Sequence, residues 1–508
     1  MAASSQPLVM PTEILDSIGK PVEPTRAPAD LYNYYSLMIP ASTFDRVSVI
    51  SDLHIGGSSG HQIFREGELL GKFIDNLRDE GSGDRALVIN GDAVDFLAED
   101  RPMCFDPEGA IDKLDNMFKE DAFKPVWKAL TQFIGKPNRR LVITLGNHDL
   151  ELALPWVREH FLEKLSAGDP AARSRITLAL DGAGFSCQVG DDSVLCVHGN
   201  EVDTWNLTDY EALRRLACDR IQGRPLSDWT PNAGTKLVIE VMNDIKRDHA
   251  FVDLLKPEKE AALKIVWALR PDLRSKLTRI AGIARRLVWD RVRSTLRLLS
   301  EAEGPSASPG AETYTRADVN LEELMDRVEE QFQNRTDPLD IVYGNESHQL
   351  GWGDELISIV RARKPHEVAW EGVKELTADA TFDIRRADDD FERIDALAGP
   401  QFRYVIAGHT HLARILGRRR GQGLYFNSGT WASLMRLKPE HIKTLQTFAP
   451  VFERLKAAKT ISELGDLTFT RPTVVTVQKQ NGQTKAALQQ VGLENGKIVL
   501  TELQEAPG

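Results

Sequence analysis

Residues 85–95 read RALVINGDAVD. The aliphatic run Arg85–Ala86–Leu87–Val88–Ile89 is short and bounded by polar residues, which predicts a buried strand. It delivers Asn90, Gly91 and Asp92 just past its C-terminal end. The same pattern recurs four times. Arg46–Val47–Ser48–Val49–Ile50 leads to Asp52 and His54. Leu141–Val142–Ile143–Thr144–Leu145 leads to Gly146–Asn147–His148–Asp149. Val194–Leu195–Cys196–Val197 leads to His198–Gly199–Asn200. Tyr404–Val405–Ile406–Ala407 leads to Gly408–His409–Thr410–His411. Helical stretches over 67–80 and 110–134 separate the first three runs. That alternation predicts an α/β core in which helices cover a largely buried sheet. Ligands bind at the edge where the C-terminal ends of such strands converge. Five loops rich in Asp, His and Asn at one edge therefore predict a single site.

The bulk properties narrow the function. At 508 residues the chain exceeds one compact core. Its 42% hydrophobic and 27% charged residues are ordinary for a globular protein. A net charge of -12 opposes a general affinity for nucleic acid. The four cysteines, Cys104, Cys187, Cys196 and Cys218, are too few for a disulfide framework. Cys187 and Cys196 are expected to face each other, reduced and buried, across a hairpin turning at Gly190–Asp191–Asp192. The N-terminus lacks a basic region followed by an apolar run, so no signal peptide is expected. No stretch reaches about 18 apolar residues, so no membrane span is expected. A cytoplasmic location follows.

The chain divides into four parts. Residues 1–42 form an N-terminal extension. Residues 43–205 and 400–435 carry the strands and motifs. Residues 206–399 read as a large helical insertion, with a Pro/Gly/Ser linker at 301–313. Residues 436–508 form a β-rich tail in which Asn481–Gly482 and Asn495–Gly496 predict hairpin turns.

Divalent metals that activate water take carboxylate, imidazole and amide ligands. Two such metals about 3.5–4 Å apart can share a carboxylate. Asp52 and His54 place both types on one turn. Asp92 follows Gly91, which lets the backbone come close. Asn147 offers an amide oxygen, and His198, His409 and His411 offer imidazoles. Asp95 could instead cap a following helix. Asn200, Glu201 and Asp203 follow His198 and are candidates to line the pocket. His61 sits in a Gly/Ser loop after Asp52 and is a candidate to touch substrate. His160, His249, His348, His366 and His441 are expected to be surface or satisfied histidines.

The motifs DLH at 52–54, GDAVD at 91–95, GNHD at 146–149, HGN at 198–200 and GHTH at 408–411 together resemble the calcineurin-like metallophosphoesterase family. The resemblance implies a four-layer β-sandwich flanked by helices. It implies one metal on Asp52, His54 and His411, a second on Asn147, His198 and His409, and Asp92 bridging them. It also implies attack of a dimetal-bound hydroxide on a phosphomonoester or phosphodiester, with His148 beside the scissile oxygen. Asp95 and Asp149 would orient imidazoles. Manganese is the expected metal, with iron, zinc and nickel as alternatives.

The insertion bears on the substrate. Segment 264–299 is rich in arginine along an approximate apolar stripe. It reads either as a lid helix or as a basic amphipathic helix in peripheral contact with the inner face of a membrane. Its position is similar to the helical lid of UDP-diacylglucosamine hydrolases. Those enzymes usually carry arginine where this chain has His148. A histidine acid suits a poorer, alkoxide leaving group. A phosphorylated small molecule or an amphiphilic, lipid-linked phosphate is therefore the expected substrate. The alternatives are a nuclease of the same fold, which the acidic charge and the missing aromatic platform disfavour, and a non-catalytic scaffold, which would be expected to have lost ligands.

Overall fold

The computed structural model describes residues 42–99, 105–203, 206–226, 229, 231–239, 243–246, 249–254, 268–269, 365–376, 382–480 and 482–503. Cys104, His348, the linker 301–313 and all of 264–299 except Ala268 and Leu269 lie outside them.

Two sheets form the centre. The larger contains β2 (Arg46–Ile50), β3 (Arg85–Asn90), β4 (Arg139–Thr144) and β5 (Ile176–Ala179), all parallel. It continues through the antiparallel β13 (Thr473–Gln480), β14 (Gln483–Glu494) and β15 (Lys497–Glu502) in the order β15-β14-β13-β2-β3-β4-β5. The smaller runs β1-β6-β7-β8-β10-β9. Its strands are β1 (Thr43–Phe44), β6 (Phe185–Val189), β7 (Asp192–Cys196), β8 (Tyr404–Ala407), β9 (Arg414–Gly417) and β10 (Leu424–Asn427).

Strand side chains alternate between two faces. Ala86, Val88 and Val142 point inward and meet Cys187, Val194, Ile406 and Phe426 of the smaller sheet in one buried layer. Leu87, Ile89, Leu141 and Ile143 point outward. They pack under α1 (Gly67–Asp79), α2 (Ala110–Lys119), α3 (Lys124–Gly135) and α4 (Pro155–Ser166). On the far side of the smaller sheet, Phe391 of α7 (Asp389–Leu397) meets Tyr425 edge-on at 5.0 Å between ring centroids. The architecture is thus the expected four layers, helix, sheet, sheet and helix.

Three local features differ from the sequence expectation or refine it. The helix read over 110–134 is two helices. Glu120 is extended and caps α2, and Pro125, which lacks an N–H, fits only the first turn of α3. The hairpin of β6 and β7 forms, but Cys187 lies opposite Val194 and Cys196 opposite Phe185. The two thiols are therefore offset along the ladder. Both are buried and free, and burial pushes Cys187 up to about 12. The tail's three long strands extend the larger sheet, with β13 pairing directly to β2. Before them comes α8 (Leu445–Ala457), started by a reciprocal cap between Thr444 and Thr447. Phe448, Phe452 and Leu455 of α8 join Phe251 and Ala369, the latter from α6 (Pro365–Leu376), in a second apolar cluster.

Register explains why the motifs converge. Ile50, Ile89 and Ile143 are direct neighbours across β2, β3 and β4. The loops of Asp52, Asp92 and Asn147 therefore leave the sheet at one level. Cys196, Ile406 and Phe426 are aligned in the same way across β7, β8 and β10. Asn90 joins the two sheets at this edge. Its amide donates to the carbonyls of Val197 (2.7 Å) and Ile406 (3.2 Å) and accepts from Thr144 Oγ1 at 3.0 Å.

Candidate metal centre

The five motifs meet in one buried site. Three overlapping groups place ligand atoms within 4.8 Å of one another: Asp52, His54 and His411; His54, Asp92 and His148; Asp52, Asp92 and His198. Asp92 belongs to two of these groups. Its Oδ2 lies 3.5 Å from His54 Nε2 and 3.3 Å from His198 Nε2. His54 Nε2 and His411 Nε2 approach to 3.0 Å. His409 stands beside His198, ring centroids 5.3 Å apart.

The backbone is held in an unfavourable conformation to achieve this. Asp52, His54, Asp92, His409 and His411 all have φ between 50 and 70°. They are five of the seven non-glycine residues with positive φ among the described residues. Each such residue costs roughly 1–3 kcal/mol, which the surrounding structure must offset. The glycines serve close approach. A Cβ on Gly91 would lie 2.2 Å from His198 Nδ1, and one on Gly146 would lie 2.1 Å from Asp92 Oδ1.

Several ligand candidates are fixed by a partner behind them. His198 Nδ1 donates to the Asn90 carbonyl at 2.9 Å, which leaves Nε2 toward Asp92. The Asp52 carboxylate accepts from Ser51 Oγ and from the His409 N–H at 3.0 and 3.1 Å. Ser51 Oγ in turn contacts Ser428 Oγ at 2.7 Å, and Thr430 Oγ1 donates to the Asp52 carbonyl at 2.8 Å. His409 Nε2 is 2.9 Å from Asp203 Oδ2, so Nδ1 is its remaining ring nitrogen. Asn206 donates to the same Asp203 oxygen at 2.8 Å and accepts from Asn147 Nδ2 at 3.4 Å, which turns Asn147 Oδ1 the other way.

Asp95 and Asp149 differ. Asp95 Oδ2 meets His54 Nδ1 at 3.0 Å and His148 Nδ1 at 3.1 Å, while Oδ1 accepts from the Leu97 and Ala98 N–H groups. Orientation of imidazoles and capping of the next turn are both satisfied by one side chain. Asp149 faces the backbone instead of an imidazole. It accepts from Gly146 N–H at 2.7 Å and Ala93 N–H at 2.9 Å, bracing two motif loops. Burial, then the neighbouring Asp92, push its carboxyl up to about 7.

The electrostatics favour a cation. Burial alone would raise the carboxyls of Asp52, Asp92 and Asp95. The facing imidazoles outweigh it, bringing Asp52 to about 2 and holding Asp92 and Asp95 well below the usual range. Burial would likewise strip the proton from His198, yet Asp92 and Asp52 raise that group to about 10. Positive charge at His198 Nε2 is thus stabilised by carboxylates. Asn147 Oδ1 and His198 Nε2 are buried and make no hydrogen bond. Buried polar atoms in that condition need an explanation. Divalent cations fit this set of carboxylate, imidazole and amide donors.

The remaining candidates lie elsewhere. Asp203 reaches the site through His409. Asn200 donates to Thr208 Oγ1 and the Asn206 carbonyl at 3.2 Å, and Glu201 accepts from Gly199 N–H at 2.8 Å. His61 is half-buried in a turn, its N–H on the Ser58 carbonyl. His160 pairs with Asp115 at 2.8 Å, and His249 with the Lys456 carbonyl. Asn90, Ser51, Asn206, Ser428 and Thr430 were not singled out by the sequence. Ser428 and Thr430 follow a short strand, the same signal that marked the five motifs.

The family model for calcineurin-like phosphoesterases matches residues 46–252. That stretch is similar to the calcineurin-like phosphoesterase family. The match takes in the first four motifs and stops before β8, so His409 and His411 join the site through the fold. No curated protein matches the chain. Among the described residues no helix is long and apolar enough to cross a membrane.

Proposed function

We propose that the protein hydrolyses a phosphomonoester or phosphodiester with the help of two divalent cations, manganese being the expected pair. The observation that carries this reading is the convergence of buried donors on shared space. His54 Nε2 and His411 Nε2 lie 3.0 Å apart, His198 Nε2 faces Asp92 Oδ2 at 3.3 Å, and the buried Asn147 Oδ1 makes no hydrogen bond. Asp52, His54 and His411 would hold one ion and Asn147, His198 and His409 the other. Asp92, placed between His54 and His198, would serve both. Such ions supply Lewis-acid charge at the phosphoryl oxygens and make water a stronger nucleophile.

The protein's own groups do the rest. Asp95 Oδ2 fixes Nδ1 of His148, which directs Nε2 of the same ring away from Asp95. His148 is partly exposed, with 11% of its side chain accessible, while Asp52, His54, Asp92, Asn147, His198 and His411 are buried. From there it can donate a proton to a departing oxygen. That role matters most for an alkoxide. A lipid-linked or otherwise amphiphilic phosphate is the substrate class we favour, on the strength of the arginine-rich apolar stripe at 264–299.

The test is hydrolysis of an aryl phosphate and a bis-aryl phosphodiester by purified protein with added Mn²⁺, then with Fe, Zn or Ni. No turnover with any metal rejects the enzyme reading. Asp92→Ala or His198→Ala should abolish turnover in a folded protein, and retained activity rejects the assignment of the site.

A further inference from the structure

Asn206 reaches two candidate ligands of the second ion. Its amide nitrogen donates to Asp203, the partner of His409, at 2.8 Å, and its oxygen accepts from Asn147 at 3.4 Å. It stands between Asp203 and α5 (Tyr210–Ile221), a helix whose Ala212 N–H is capped by Asp209 at 2.8 Å. Connecting stretches are ordinarily less rigid than the elements they join. The main chain of Asn206 is pinned on both sides instead. Its N–H donates to the Asp203 carbonyl at 3.0 Å. Its carbonyl accepts from Asn200 Nδ2 at 3.2 Å and from Asn232 Nδ2 at 3.4 Å, with Thr208 Oγ1 at 3.5 Å.

The two amides come from different parts of the chain. Asn200 follows His198 by two residues and is fully buried. Asn232 belongs to the insertion and is only 3% exposed. It caps the short helix Ala233–Leu237, its oxygen accepting from the Thr235 N–H at 2.7 Å. Serine, threonine and aspartate also cap helices well. Among these residues only asparagine caps with one atom and donates with another. This part of the insertion is seated on the motif loops by two more contacts. Trp229 packs on Phe105 with ring centroids 5.2 Å apart, and Asn243 donates to the Leu97 carbonyl at 2.9 Å.

We propose that Asn232 is a positioning residue for the second ion, through which the insertion sets the placement of His409 and Asn147. The inference rests on the two-ion reading above. It also divides the site. Among the described residues Asp52, His54 and His411 make no hydrogen bond with Asn206, so the first ion should be indifferent to Asn232.

Electron paramagnetic resonance of the full-length protein loaded with Mn²⁺ tests this. Two ions sharing Asp92 give an exchange-coupled spectrum, and one ion gives an isolated-ion spectrum. Asn232→Ser keeps the helix cap, adds no charge and removes the amide donor. Its coupled signal should need about 10-fold more Mn²⁺ than wild type. Its isolated-ion signal should appear first, at the concentration that fills the first site of the wild type. Thr235→Val controls for disturbance of the same helix. Thr235 Oγ1 is buried without a hydrogen bond, so its loss should leave both signals unchanged. An Asn232→Ser protein that pairs its ions at the wild-type concentration, or loses both ions in parallel, overturns the inference and leaves the two-ion reading standing. An equal shift in Thr235→Val overturns it too, by assigning the effect to the helix as a whole. Wild-type protein that never gives the coupled signal overturns the two-ion reading itself, and the inference with it.

Discussion

His54 and His148 share a single carboxylate oxygen: Asp95 Oδ2 lies 3.0 Å from Nδ1 of the first and 3.1 Å from Nδ1 of the second. Their rings meet edge-on with centroids 4.6 Å apart. One side chain therefore sets both a candidate ligand and the candidate acid.

Asp95→Asn should damage metal binding and proton transfer together. An amide nitrogen cannot accept from two imidazoles. Loss of such a supporting partner typically costs 10–100-fold in metal affinity. Metal titration of the dialysed variant, followed by turnover at saturating metal, separates the two effects. Unchanged values in both measurements would remove Asp95 from the site.

His148→Ala should instead spare the metal. We expect metal content equal to wild type and kcat for an alkyl phosphate lower by about 10²–10⁴-fold, the usual scale of general acid catalysis. The loss on an aryl phosphate should be smaller, because its leaving group needs less help. Equal losses on both substrates would argue against proton donation by His148.

Asn206→Ala should weaken the site through its neighbours. The Asn206 side chain joins Asp203, which holds His409, to Asn147. We expect a drop in metal affinity on the order of 10-fold. Asn206→Gln need not restore it, since its longer chain cannot keep both contacts. A variant that binds metal like the wild type would show the network to be dispensable.

Glu151 predicts a pH dependence of stability. Burial pushes its carboxyl up to about 7 from an ordinary 4.5, although Lys113 opposes the shift. The folded protein then keeps a proton that the unfolded chain releases between those values. Its contribution to stability is full below pH 4.5 and is lost as pH rises through 7. The loss is on the order of 3 kcal/mol. Glu151→Gln removes this term. The variant should gain stability relative to wild type between pH 5 and pH 8 in denaturant titrations, and a constant difference across that range would refute the assignment.

The core strands and the candidate ligands are local features of the chain. Aliphatic runs of four or five residues must be buried, and each ends in residues that only a polar site can use. Asp52, His54, Asp92, Asn147, His198, His409 and His411 are therefore legible in the sequence as candidate ligands. So is the Asn495–Gly496 turn, where both residues take positive φ. Those signals are local, carried by side-chain type and by backbone conformations that few residues adopt.

What stands behind the candidate ligands comes from long-range packing. Asn90, Asn206, Ser428 and Thr430 work across gaps in sequence that no period spans. Asp149 turned to two backbone amides because the sheet register brings Ala93 and Gly146 together. The tail joins the larger sheet through β13, the second neighbour of β2, and hydrogen bonds between strands leave no mark on the composition of either one. Contacts made at long range depend on register and layer order, and these are fixed only when the whole core is packed.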